Sequence, residues 1–447
     1  MRATTGSLLL SSLAIAVIAP LTVGALDAQQ AVRVVSADLT PATSETPTFY
    51  ADVLPVLQQN CQICHRTDGT NMGGQIAPWP LVTYEDAHMR APRMASAVRE
   101  GRMPPWSAAA WHEGTFENER VLDSEEKATI IEWAAGGAPA GNPADAPPTP
   151  DFLMAAAAGG SEWTIGEPDL ILSFDEDYCL DDDLRDIYVD IPLRLSEEQL
   201  PNDRWIKSVE YRNGPAVHHI VGGVGGLVPG SEPRVYDDGY GRLLEAGPRE
   251  INFNMHFNKT PGPGTAVCSN VKVGIIFKEP GEVIRHVTGG NGLFIRGIDI
   301  PAGAPSYSAS REYTFDEDVE LLSFMPHMHL RGKAALYEIT YPDGQHETLL
   351  HVPNYAFNWQ HRYRFAEPPF VPAGSVLRFT LWWDNSENNP ANPDPTADVR
   401  WGRPTHAEMA QGYMSFRTMK ERHIVVGEEI PTDLTAGDEQ SDDLNNR

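Results

Sequence analysis

Past residue 160 the chain is built from short runs in which apolar and polar residues alternate. Asp169–Phe174, Asp186–Leu193, Trp205–Tyr211, Val271–Phe277, Ala335–Thr340 and Val376–Trp383 are rich in β-branched and aromatic residues and are separated by turn formers. Side chains two apart share a face of a strand, so each run predicts a strand with one buried side. Pro342-Asp343-Gly344 predicts a hairpin turn. Strands at this density with little helix predict antiparallel sandwiches. Before residue 140 the pattern is different. A helix is expected to include Arg93–Glu100 and to end near Gly101. A second begins at Asp123, with Glu126 completing a capping box, presents Ile130, Ile131 and Trp133, and stops at Gly136-Gly137.

Composition divides the 447 residues further. Arg2 followed by apolar Leu8–Leu21 and small residues before Ala25 and Ala28 predicts a cleaved secretory signal over 1–28. The alternative, an uncleaved anchor helix, is disfavoured by the short apolar run and by Pro20. A Thr/Ser/Ala/Pro-rich linker over 29–47 leads into a helical domain at 48–140. A Pro/Ala-rich linker at 141–160 follows, within the longer run 138–160. A break at Pro301–Ser310 then divides sandwiches at 161–303 and 304–447. The address is periplasmic or secreted, with no stable membrane insertion after cleavage. A net charge of −28 repels nucleic acid without naming a partner. The acidic run Asp175–Asp183 is expected to be a solvated loop, with a calcium site as the alternative.

Four cysteines are present. Cys61-Gln62-Ile63-Cys64-His65 is a C-x-x-C-H sequence, the attachment signal of c-type haem. Its two thiols add to the vinyl groups of one porphyrin, and the adjacent histidine reaches the iron. A zinc site or a dithiol pair is the alternative. Met103, in Gly101-Arg102-Met103-Pro104-Pro105-Trp106, is the candidate sixth ligand, with Met72 and Met94 as competitors. Residues 48–140, in PVLQQNCQICH, APWPLVTYEDA and REGRMPPW, resemble a small all-α cytochrome c domain. The remaining pair, Cys179 and Cys268, is expected to form a disulfide in an exported chain, two buried thiols being the alternative.

His327-Met328-His329 lies in an apolar run, where two imidazoles on one strand face can chelate a transition metal. Adjacent His218-His219 would face opposite ways on a regular strand. They could bind one ion only at a strand end, at a bulge, or through different ring nitrogens. Otherwise one is core and one is surface. Asn254-Met255-His256 adds a third imidazole, and Glu408-Met409 adds a thioether.

In this order, over residues 165–425, the motifs resemble the type II copper, ascorbate-dependent monooxygenases, the peptidylglycine α-hydroxylating and dopamine β-monooxygenase family. DNSENNPANPDP and the WG…T…EM pattern are similar to its bacterial members. The resemblance implies two antiparallel, jelly-roll-like sandwiches, each with one copper ion, facing a solvent-filled cleft. It implies that His218, His219 and His256 hold the electron-transfer copper. His327, His329 and Met409 would hold the copper that activates O2, with Tyr413 beside it. The implied reaction inserts one oxygen atom into a C–H bond of a small organic substrate. Electrons would come from an external donor, ascorbate or a respiratory-chain component.

The pattern departs from the family in three places. Met325 stands where the peptidylglycine enzymes place a substrate-holding arginine, Asn254 stands where the animal enzymes have glutamine, and the haem domain is foreign to them. His286, His346, His351, His361, His406 and His423 are assigned structural roles. With the cytochrome tethered by the linker, docking is expected to be transient, and haem is expected to reduce the His218/His219/His256 copper first.

Overall fold

Alternation along the strands becomes two pairs of facing sheets. The computed structural model describes residues 46–66, 77, 79–150, 163–222, 224–228, 232–287 and 289–430. The expected signal, most of the linker at 29–47, Met72 and the linker residues 151–160 lie outside these. In the first pair, strands Leu170–Ser173, Val271–Phe277, Arg204–Asn213 and Tyr240–Leu244 lie side by side in that order, closed by His286–Val287. The opposing sheet is Asp186–Leu195, Arg249–Asn258 and Val217–Gly222. Leu172, Ile206, Val209 and Val273 from one sheet pack with Leu193, Ile220, Phe253 and Met255 from the other. Cys179 and Cys268 sit directly opposite each other on two short strands and are joined by a disulfide, with an S–S distance of 2.01 Å.

The second pair has Gly289–Phe294, Gln411–Thr418, Val319–His327 and Tyr363–Arg364 in one sheet. Tyr307–Thr314, Val376–Trp383, Gly332–Thr340 and His346–Val352 form the other. Phe324, Tyr337, Phe379 and Trp383 fill the space between them. The strand Gly289–Phe294 pairs with Gln411–Thr418, and Ile300 joins the second core, so this pairing starts before the break expected at 303. Val319–His327 begins with alternating burial and ends fully buried, because its last residues are covered on both faces.

Among the described residues, the segment before residue 146 holds four α-helices, Leu54–Asn60, Tyr84–His88, Ala91–Arg99 and Ser124–Ala135. Asp123 accepts from the backbone N–H groups of Glu125 and Glu126, and Glu126 returns a bond to the Asp123 N–H, the expected capping box. Residues 139–141 fold back on this segment, with the Phe49 and Tyr50 N–H groups donating to the Pro139 and Ala140 carbonyls. None of the helices among the described residues is long and apolar enough to cross a membrane.

The expected transient docking is corrected by the stretch between Trp106 and Arg120, which is built into the second sandwich. Phe116 is buried in that core, and a backbone bridge pairs it with Phe365. Asn118 Nδ2 donates to the Arg362 carbonyl at 2.8 Å, and the His351 N–H donates to His112 Nε2 at 3.0 Å. Arg364 meets Glu232 of the first sandwich at 3.1 Å, and Arg120 meets the same carboxylate at 3.1 Å. The stretch is therefore fixed against both sandwiches, not transiently docked.

Candidate metal centre

The His218-His219 pair is solved by a bulge. Register along Val217–Gly222 runs from Val217 opposite Phe257 directly to His219 opposite His256, so His218 is the extra residue. A bulge bends its strand and re-aims side chains. Both imidazoles turn inward and are buried, which removes the core-and-surface alternative. His218 Nδ1 lies 3.2 Å from His219 Nδ1, and His256 Nδ1 lies 3.3 Å from the same atom. Two ligand bonds of about 2.0–2.1 Å at a tetrahedral angle separate their nitrogens by roughly 3.3 Å. His219 Nδ1 thus stands at ligand spacing from both neighbours, and one ring nitrogen from each of the three histidines lies within 4.8 Å of the others, as around one small ion.

The other nitrogen of His256 explains that orientation. Nε2–H donates to Asp186 Oδ1 at 2.5 Å, and Tyr188, two residues along the same strand, stacks on the ring at 4.1 Å. A carboxylate on the far nitrogen fixes the tautomer and leaves Nδ1 with its lone pair. Burial opposes ionisation of Asp186, but hydrogen bonds from His256 and Thr405 outweigh it and hold the carboxyl below its usual range.

The second set uses opposite nitrogens. His327 Nδ1–H donates to Gln360 Oε1 at 2.6 Å, and His329 Nδ1–H donates to the Ala407 carbonyl at 3.2 Å. Each keeps Nε2 as the free ligand atom, and that of His329 is buried without a hydrogen-bond partner. Buried Glu408 pins the loop before Met409 to this strand end, accepting from the His329 and Arg331 N–H groups and from Trp383 Nε1. Burial pushes its carboxyl up to about 7. Gln411, the register partner of His327, donates to Met409 Sδ at 3.4 Å and accepts from Tyr413 Oη at 2.5 Å. Met409 and Tyr413 are thereby brought to the histidine end of the sheet.

The two sets lie against each other. His219 and His327 have ring centroids 5.9 Å apart, and Phe357 stacks on His218 at 4.6 Å while meeting His329 edge-on at 5.9 Å. The most exposed of the five histidines, His218, is only 6% exposed. The expected solvent-filled cleft is therefore closed in this structure. Asp186 helps close it, since its second oxygen accepts from Thr405 Oγ1 at 2.5 Å across the two sandwiches. Burial pushes His218 down to about 3 and His327 to about 4, and takes His219 and His329 well below 6.5. At neutral pH these four imidazoles are uncharged donors, the form a metal needs.

In the helical segment, Cys61, Cys64 and His65 follow the helix Leu54–Asn60 on one further turn, with the His65 N–H donating to the Cys61 carbonyl. Spacings of three and four place such residues on one side. The cysteines are not bridged to each other, and burial pushes Cys61 up to about 12. His65 Nδ1 bonds the Trp79 carbonyl at 3.0 Å, leaving Nε2 available, as an iron ligand requires. Met103 is half-buried on the loop after Ala91–Arg99, whereas its competitor Met94 is packed in the helical core.

Asp186, Tyr188, Gln360, Phe357 and Thr405 were not among the residues expected from sequence. Asp186 and Tyr188 carried a signal, two polar-tipped residues spaced by two on a strand. Gln360 sits on a loop and carried none, and Thr405 carried only its place in the WG…T…EM pattern. The acidic run also has a structural use, because Asp182 accepts from the Gly264 and Ala266 N–H groups and fixes the neighbouring loop.

No family model and no curated protein matches the chain. Among solved structures it is similar to the major capsid protein P2 of bacteriophage PM2, at 6% identity, 56% of this chain, 96% of that chain and a TM-score of 0.21. The infectious bursal disease virus VP2 subviral particle gives 10%, 62%, 89% and 0.15. A secreted protein from Eubacterium rectale gives 12%, 56%, 71% and 0.19. At such TM-scores these likenesses carry no argument about this chain.

Proposed function

We propose that the chain is an exported dicopper monooxygenase with a built-in c-type haem, related to the ascorbate-dependent copper monooxygenases. One observation carries the reading: two sets of neutral imidazoles, one on each sandwich, present opposite ring nitrogens to two adjacent points. Three imidazoles at one point suit both copper oxidation states, and a thioether beside two imidazoles favours the cuprous form. Copper held there would supply one-electron chemistry for inserting an oxygen atom from O2 into a C–H bond. His218, His219 and His256 would hold one ion, and His327, His329 and Met409 the other. Asp186 and Gln360 fix the ring orientations, and the surrounding burial excludes water. Cys61, Cys64 and His65 would hold the haem, with Met103 as the candidate sixth ligand. The substrate is a small organic molecule. Position 325 offers it no cation, but Arg362 donates to the Ser323 and Ser415 hydroxyls on the neighbouring positions.

The closed arrangement favours a second reading, a periplasmic copper-binding or electron-transfer protein without hydroxylase activity. Met409→Ala separates the two. Loss of copper-dependent O2 uptake with folding and haem reduction intact supports the enzyme. Unchanged O2 chemistry removes Met409 from the reaction and favours the carrier.

A further inference from the structure

One short stretch, Phe357–Arg364, touches the haem-side loop at one end and the metal histidines at the other. His361, assigned only a structural role from sequence, is 2% exposed, and its imidazole is hydrogen-bonded to the Pro105 backbone, two residues after Met103. Its ring lies 5.6 Å from that of Trp106, which also packs on Tyr363 at 5.0 Å. The preceding residue, Gln360, is fully buried and accepts from His327 Nδ1 at 2.6 Å. Gln360 Nε2 donates to the Phe357 carbonyl at 3.0 Å, so its amide is held from both ends. The links are fixed: Tyr363 and Trp106 join the packing around Phe116, and Arg364 is held by Glu117 and Glu232.

We propose that His361 and Gln360 form the electron path from the Met103–Trp106 loop to His327. Electrons then reach the ion held by His327, His329 and Met409 first, not the ion of His218, His219 and His256. The inference rests on the function proposed above. In each event one electron leaves the haem iron, which passes from ferrous to ferric, and one arrives at copper, which passes from cupric to cuprous. No bond to either metal is broken, and no proton needs to move along the path. From the Pro105 carbonyl the route is one hydrogen bond, one peptide link and a second hydrogen bond. A competing route to His218 runs two peptide links further along the backbone, to Asn358, whose side chain is hydrogen-bonded to His218, and to Phe357, which stacks on that ring. His361 and Gln360 are positioning residues on this account, since neither touches copper.

The test is anaerobic stopped-flow on the full chain, carrying ferrous haem and saturated with cupric ion. Haem reoxidation is followed optically, and freeze-quenched samples are read by copper EPR. His361→Phe and Gln360→Leu should each slow the concentration-independent phase about tenfold, while Trp111→Leu, at an exposed ring of the same docked stretch, leaves it unchanged. The haem spectrum should be the same in all three. Met409→His, which alters the EPR signature of its own ion, should show that signature disappearing first. The inference is overturned if Trp111→Leu slows the phase as much as the other two, if none does, or if the unaltered signature disappears first. Should His361→Phe fail to fold, Gln360→Leu and the EPR order still decide. A purified chain that holds no haem or no copper overturns the functional reading as well. One that holds both with unchanged rates overturns this path alone.

Discussion

The two histidine sets are made from the same side chain and aimed by opposite means. In the first, a bulge at His218 and a carboxylate on the far nitrogen of His256 turn Nδ1 inward. In the second, a regular strand end sends Nδ1 of His327 and His329 outward to an amide and a carbonyl, leaving Nε2. An imidazole bonded through Nδ1 holds its ion closer to the backbone than one bonded through Nε2. The first set is therefore a compact pocket of three rings. The second offers two rings, with the thioether of Met409 held near them by Gln411, the register partner of His327. The choice of nitrogen is made by strand register and by the partner of the other nitrogen, not by the histidine itself.

The largest expected effect breaks the comparison into its halves. His256→Ala should abolish one site, lowering bound copper by about one ion per chain after dialysis, and leave the His327/His329 site filled. Loss of both ions together would show that the two sets act as one centre. A smaller effect sharpens the contrast in aiming. Asp186→Asn should weaken the first site, and Gln360→Leu the second, each by about 10–100-fold in titrations with competing chelators. If either substitution weakened the opposite site more, the assignment of partners would be reversed.

The smallest effect concerns charge in the metal-free protein. Burial holds His112 at about 4, His218 at about 3, His327 at about 4 and His361 at about 3, with His219 and His329 also well below 6.5. In each case the unfolded chain binds the proton more readily. Their contribution is full above pH 6.5 and is lost as pH falls towards the folded values. Glu408 has the opposite sign. Raised to about 7, it contributes fully below 4.5 and loses that contribution as pH rises through 7. Six imidazoles outweigh one carboxyl, so the melting temperature of the metal-free protein should drop between pH 7 and pH 5. Copper should raise the melting temperature across this range without removing the drop, because the bound ion keeps protons off the folded imidazoles and leaves uptake by the unfolded chain unchanged. A melting temperature that rises on acidification would show that Glu408 dominates.

The six alternating runs were legible as strands because alternation reports which face is buried. Val271–Phe277 and Val376–Trp383 begin and end where the pattern placed them. The capping box at Asp123 and the disulfide partners were also legible, the first from local chemistry and the second by elimination among four cysteines. The ligand candidates could be found because histidines stand out in apolar runs. Their aiming could not be read. A bulge is a relation between two strands, and the partners Asp186 and Gln360 are 70 and 33 residues from the histidines they hold. The docking of Trp106–Arg120 was hidden for the same reason, since Phe116 looks like any apolar residue until its seat in the second sandwich is seen.

That seat has a consequence for how the chain is made. Asn118 and Arg362, joined by a hydrogen bond, are 244 residues apart. The second sandwich cannot complete its core until a stretch from the start of the chain is delivered to it, and closing so long a loop is slow. During synthesis the early segment emerges first and must wait, its phenylalanine uncovered, for a partner still to come. A chain severed near residue 150 would leave each piece with an apolar surface exposed, and the two pieces would be expected to find each other again when mixed.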